Sequence, residues 1–457
     1  MTTSTLDERL IQIRPSERQL AQQQMEFYAF VHFTVNTFTD KEWGDGTENP
    51  KIFNPQKLDA EQWCKAIKSA GMTGLILTCK HHDGFCLWPS KFTNHSIAAS
   101  PFRDGKGDIV AETATACKKF GLKFGIYLSP WDKNSKLYGQ GRAYDDYFIA
   151  QLTELLTNYG PIFSVCFDGA CGEGPNGKKQ VYDFPRYYEV VRKLQPDACI
   201  SICGPDVRWC GNEAGHCRQA EWSVVPLRTK DTEIIKERSQ HEDSAEFRQR
   251  EIFASDEDLG SRKILENEPD LIWYPAEVNT SIRPGWFYHK SEDDKVRPLE
   301  ELIDIYYKSV GGNATFLLNI PPTQQGLFHQ NDVKRLQEIG DYLRAAFGKE
   351  VARADFPEYY KSDTGFVYEL GTSGLEIRHI VLQEDISQSQ RVEGFKVEVL
   401  CDDGLGEEKV HWQEIYTGSV IGYKKIIRLE NPIKTDRIRF TITDCRCQPV
   451  MKSVIVY

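Results

Sequence analysis

Carboxylates and imidazoles recur in this sequence where apolar runs stop. The clearest case is Phe163-Ser-Val-Cys-Phe-Asp168-Gly-Ala-Cys-Gly-Glu-Gly-Pro175, where an apolar run ends on one acid and Gly169, Gly172, Gly174 and Pro175 rule out further helix or strand. It reads as a buried strand with Asp168 at its C-terminal tip; a turn aspartate bonded to its own loop is the plain alternative. Other run-ends add His32, His81, His82, Tyr127, Trp131, Glu221, Trp222 and Glu277, and Glu42 and Trp43 follow soon after His32. Imidazoles, carboxylates and indoles together suit a polyol with one apolar face, because polar groups share its hydroxyls while rings pack on its C–H surface.

Two chemistries use such a set. Metal-assisted hydrolysis would employ His32, His81 or His82 and Asp168, but adjacent histidines on a regular strand point to opposite faces, and the usual ligand spacings are HxH or HxxxH. Glycoside hydrolysis needs two carboxyls, one ionised and one with a raised pKa that protonates the leaving oxygen. Asp168 suits the first role. Glu221, beside Trp222, is the expected acid, and Glu277, closing Pro275-Ala-Glu277, is its rival.

To bring these residues together the chain must alternate strand and helix. Strands are expected at 27–33, 73–79, 122–128, 163–168 and 198–203, and helices at 58–70, 108–120, 144–158 and 184–194. Weaker strands follow at 219–225, 271–277 and 315–320, with a charged excursion over 229–262. This predicts a (β/α)8-like barrel, distorted in its second half, over residues 1–347; an open doubly wound sheet would want a glycine-rich loop after its first strand, and none is present. From Lys361 short alternating segments predict a C-terminal β-sandwich of jelly-roll type over residues 348–457, where Trp412 or Tyr423 could bind sugar or the domain could simply buttress the barrel.

Composition narrows the partners. With 457 residues, a net charge of −11 and a pI near 5.5, the chain is expected to bind neither nucleic acid nor an anionic membrane. The start, Met1-Thr-Thr-Ser-Thr-Leu-Asp-Glu-Arg, is polar, and thirteen cysteines, many inside apparent strands, suit a reducing compartment; a cytoplasmic protein is the expectation. Cys199, Cys203, Cys210 and Cys217 lack the close CxxC pairing of structural zinc, so no metal and no cofactor is expected.

The segments Val31-His-Phe33, Thr39-Asp-Lys-Glu-Trp-Gly44, Leu77-Thr-Cys-Lys-His-His-Asp-Gly-Phe85, Gly125-Ile-Tyr-Leu-Ser-Pro-Trp131, Cys166-Phe-Asp-Gly169 and Ala220-Glu-Trp-Ser-Val-Val-Pro226 resemble the α-L-fucosidases of glycoside hydrolase family 29. The likeness is nearest to the branch acting on α-1,3 and α-1,4 linked fucose in Lewis-type structures. It implies double displacement with retention, Asp168 as nucleophile and Glu221 as acid/base. It also implies a fucosylated oligosaccharide as substrate, with His32, Glu42, Trp43, His81 and His82 on fucose hydroxyls. Fucose carries a methyl at C5, so Trp222, Trp286 and Phe33 are expected to form an apolar wall there. A broad-specificity fucosidase and a fucose-binding lectin on an inactive barrel are the other readings.

Overall fold

In the computed structural model, which describes residues 5–252, 257–402 and 410–457, the apolar runs become strands covered on both faces. In chain order these are β1 (Phe27–Val31), β2 (Gly74–Lys80), β3 (Lys123–Leu128), β4 (Ser164–Phe167), β5 (Cys199–Ile202), β6 (Arg208–Trp209), β7 (Val224–Pro226), β8 (Leu271–Trp273), β9 (Ala276–Ser281) and β10 (Ala314–Asn319). Eight of them pair in parallel in the order β5-β4-β3-β2-β1-β10-β9-β6, and a bridge between Ser201 and Val207 spans the remaining gap. Every residue of β1, β2, β4, β5, β9 and β10 is buried, which explains why β1, β2, β4 and β5 read as mostly apolar runs in place of alternation. The result is a nearly closed (β/α)8-like barrel. No helix among the described residues is long and apolar enough to cross a membrane.

The crossover helices start and stop on local signals. The Asp59 carboxylate accepts from the Glu61 and Gln62 N–H groups at the start of Ala60–Ser69. Asp108 caps Ile109–Phe120, which ends on Gly121 in the left-handed region (φ 68°).

The second half departs from expectation. Residues 219–225 are not the sixth barrel strand; β6 holds that place with only two residues. β7 pairs antiparallel with β8 in a separate two-stranded sheet outside the barrel. The run 271–277 therefore contains all of β8 and only the start of β9. Of the charged excursion, residues 232–238 and 245–249 are helical, and residues 253–256 lie outside the described residues.

The C-terminal strands are β11 (Ala352–Asp355), β12 (Tyr360–Ser362), β13 (Gly365–Glu384), β14 (Val392–Asp402), β15 (Val410–Gly418), β16 (Lys425–Cys445) and β17 (Met451–Val456). They pair antiparallel in the order β11-β17-β13-β16-β14-β15, with β12 on β13. Register shifts near Gly371 and Ile377 let the long β13–β16 pair bend around the sandwich core of Tyr368, Ile377, Phe395, Val397, Ile438 and Phe440. Sandwich and barrel meet at Glu393, which pairs with both Arg262 and Arg446, while the Arg446 guanidinium lies 5.0 Å from the Trp222 ring.

Candidate active site

The C-terminal ends of the barrel strands surround a recess of about 60 Å³. Its walls include His32, Trp43, His81, His82, Tyr127, Asp168 and Trp286 from the expected set, and Phe30, Ala170, Ile202, Trp209, Glu213, Ser239, Gln240 and Asn279 besides. A larger groove of about 850 Å³ at the junction with the sandwich includes Trp222 but none of the imidazoles of the recess.

Asp168 directly follows β4. Tyr127 O–H donates to its Oδ2 (2.8 Å) and the Ala170 N–H to its Oδ1 (2.7 Å), so both oxygens are oriented. The glycines behind it allow close packing: a Cβ on Gly172 would stand 2.1 Å from the Trp131 ring, and one on Gly169 would stand 2.2 Å from Ser239 Oγ. Trp131 is thus a buried backing residue. Its ring centroid is 5.5 Å from that of Trp43 and 5.1 Å from that of His82, and its indole donates to the Glu173 carbonyl.

The three imidazoles are neutral acceptors. Burial lowers His32 and His82 to about 4 and His81 well below its ordinary value. Ser129 O–H donates to the Trp131 carbonyl, so its oxygen accepts from His82 Nδ1 (2.7 Å). The Asn319 amide donates to Ser281 Oγ and the Trp286 carbonyl, so its Oδ1 accepts from His32 Nδ1 (2.8 Å). Both Nε2 atoms are left with a lone pair, which is what a sugar hydroxyl needs as an acceptor.

Glu213 is the second carboxyl of the recess, and it was not among the sequence candidates. Burial pushes it up to about 7, with Asp168 and Glu42 adding to the rise and the Trp286 indole and Arg248 opposing it. It follows the two-residue β6 in a turn built by Asn212, whose Oδ1 accepts from the Ala214 and His216 N–H groups. Its signal in the sequence was an acid between Gly211 and Gly215, the same kind as at Asp168 but without an apolar run to announce a strand.

Several expected site residues stand elsewhere. Glu221 is buried away from the recess: Oε2 accepts from Arg208 (2.9 Å), and Oε1 from Arg218 Nη1 (3.2 Å) and the Arg218 N–H (3.0 Å). Burial disfavours its charge, but Arg208 and Arg218 outweigh that and hold it at about 2, the wrong direction for a proton donor. Trp222 packs with Val225, Leu259, Tyr274 and Val420 at the junction, and Phe33 lies in the barrel core with Phe53 and Trp63; neither lines the recess. Glu277 sits inside the barrel, accepting from Tyr28 O–H. Glu42 lies behind Trp286, where its carboxylate accepts the Trp286 and Phe287 N–H groups (2.8 and 3.0 Å).

A barrel whose mouth joins two carboxyls, neutral imidazoles and indoles around one recess is the arrangement of a glycoside hydrolase. Residues 14–347 match the family model described as alpha-L-fucosidase. The chain is 37% identical to Alpha-L-fucosidase 1 of Arabidopsis thaliana over 97% of its own length and 87% of the relative's. A crystal structure of a candidate α-L-fucosidase from Bacteroides ovatus superposes with a TM-score of 0.89 at 46% identity, covering 100% of this chain and 76% of the other. A Ruminococcus gnavus family 29 fucosidase in complex with fucose superposes at 0.79 with 27% identity, covering 97% and 95%. This chain belongs to the α-L-fucosidase family, glycoside hydrolase family 29.

Proposed function

We propose that the protein is a retaining exo-α-L-fucosidase in which Asp168 is the nucleophile and Glu213 the acid/base. The observation that carries this is the presence of Glu213 in the same recess as Asp168, with its carboxyl pushed up to about 7 while Asp168 accepts two hydrogen bonds. In the first step an Asp168 oxygen bonds to C1 of fucose as the C1–O bond breaks, and Glu213 gives its proton to the departing oxygen, which takes the electron pair. In the second step Glu213, now a carboxylate, takes a proton from water as that water attacks C1, and Asp168 leaves. His32, His81 and His82 accept from ring hydroxyls, and Trp43 and Trp286 pack on the C–H surface.

Preference for α-1,3/1,4-linked, Lewis-type fucose is proposed from the likeness of the Ala220–Pro226 segment to that branch. A Lewis trisaccharide turned over no better than an aryl fucoside would remove it. Roles are tested by azide. An α-fucoside attacked by Asp168 gives a β-linked fucosyl-enzyme, so Asp168→Gly with azide should yield β-fucosyl azide directly. Glu213→Gly, whose intermediate still forms on Asp168, should yield the α-anomer. The β-anomer from both variants, or azide without effect on either, would overturn the assignment.

A further inference from the structure

We infer that the indole N–H of Trp286 fixes which oxygen of Glu213 carries the reacting proton, and that Glu42 and Asn319 hold this indole in place; the inference rests on Glu213 being the acid/base. Trp286 Nε1 donates to Glu213 Oε2 at 2.9 Å. The carbonyl oxygen of a protonated carboxyl is a better acceptor than its hydroxyl oxygen, so a donor on Oε2 favours the acid's proton on Oε1. Trp286 is therefore a positioning residue for the proton as well as a wall of the recess.

The peptide groups of Trp286 are gripped from two sides. Its N–H donates to Glu42 Oε2 (2.8 Å), and its carbonyl accepts from the Asn319 amide (2.8 Å). Glu42 Oε1 takes the Phe287 N–H (3.0 Å) and His289 Nε2 (2.8 Å), and Asp40 holds the other ring nitrogen of His289 at 2.7 Å. Glu42 is not among the residues lining the recess, and its carboxylate carries the Trp286 turn. Gly285 makes this approach feasible: a Cβ there would lie 2.5 Å from Glu42 Oε1. Because Asn319 also holds His32, one clamp sets both the indole that orients the acid and an imidazole that meets the sugar.

The test compares Glu213→Gln, Trp286→Phe and the intact enzyme on aryl α-L-fucosides whose phenols range from dinitrophenol to phenol. The worse the leaving group, the more it needs the proton, and general acid catalysis contributes roughly 10² to 10⁴-fold. Trp286→Phe should lose activity throughout, with the loss in kcat/KM growing by about tenfold or more from the best to the worst leaving group. The charged groups acting on Glu213 are Asp168, Glu42, Arg248 and Arg250, and all remain in this variant. Losing only the indole donor, which holds the carboxyl down, should move the basic limb of the pH profile upward. If Trp286→Phe does not fold, β-(3-benzothienyl)alanine at 286 keeps the bicyclic shape without the N–H and takes its place.

A loss equal for every leaving group, with the basic limb unmoved, would leave Trp286 as a wall only and overturn the inference. If Glu213→Gln itself shows no dependence on the leaving group, the acid/base assignment falls and the inference with it. A steep dependence in Glu213→Gln with none in Trp286→Phe removes the inference alone.

Discussion

Glu213, Glu277 and Asp83 are all pushed up to about 7 by burial, yet only Glu213 lines the recess that holds Asp168. Asp83 is used up locally, accepting from Thr34 O–H (3.0 Å) and the Phe85 N–H (2.7 Å), and Glu277 faces Tyr28. A raised pKa thus selects candidates, and position decides among them. The same residues define a pH profile. Catalysis as proposed needs Glu213 protonated, so kcat/KM should fall as pH rises through about 7. It also needs His32 and His82 as acceptors, so it should fall again as pH drops toward about 4 and they take protons. Measured in Glu213→Gln, the low-pH limb should persist while the limb near 7 disappears; a limb near 7 that survives would have to belong to another group.

Among the elements, the sequence made legible those long enough to show a period. β1 to β5 and β10 are runs of four to seven residues, all buried except Lys123 at the start of β3, and each lies within or close to an expected strand. β6 has two residues and carries no pattern, so the more apolar β7 segment took its place in the reading and brought Glu221 with it. Asp168, His32, His81, His82 and Tyr127 were legible as ends of long strands, whereas Glu213 follows the strand that could not be seen. Glu221 still matters to the loop that presents Glu213. It ties Arg208 of β6 to Arg218 further along, closing the segment that contains Glu213. Breaking a buried ion pair by removing one partner's charge costs about 3 to 5 kcal/mol. Glu221→Gln should therefore lower unfolding stability by about 3 kcal/mol, while the protein that remains folded keeps the intact enzyme's leaving-group dependence. Denaturant unfolding paired with aryl fucoside kinetics checks both. A steepened dependence without loss of stability would return Glu221 to the role of acid.

For the molecule as a whole, buried groups with opposite shifts set how stability varies with pH. Glu277 is raised from an ordinary 4.5 to about 7 because the barrel interior disfavours its charge, with Tyr28 offsetting part of the effect. Between those values the folded chain keeps a proton that the unfolded chain has released, so this contribution weakens as pH rises from about 4.5 to about 7. His32 and His82, lowered from 6.5 to about 4, act in the other sense: the unfolded chain takes protons that the folded chain refuses, so stability falls as pH drops through that window. The two effects oppose each other over the shared range and separate on either side of it. Replacing Glu277 by Gln keeps an acceptor for Tyr28 and removes only the titration. At about 1.4 kcal/mol per pKa unit, the variant should gain up to roughly 3 kcal/mol over the native chain above pH 7 and almost nothing near pH 4.5. Denaturant unfolding of both proteins at pH 5 and pH 8 measures that difference. Because Glu277 is outside the recess, kcat/KM on aryl fucosides should keep its basic limb in the variant. A gain equal at both pH values would mean that packing, not the buried charge, separates Gln from Glu at this position.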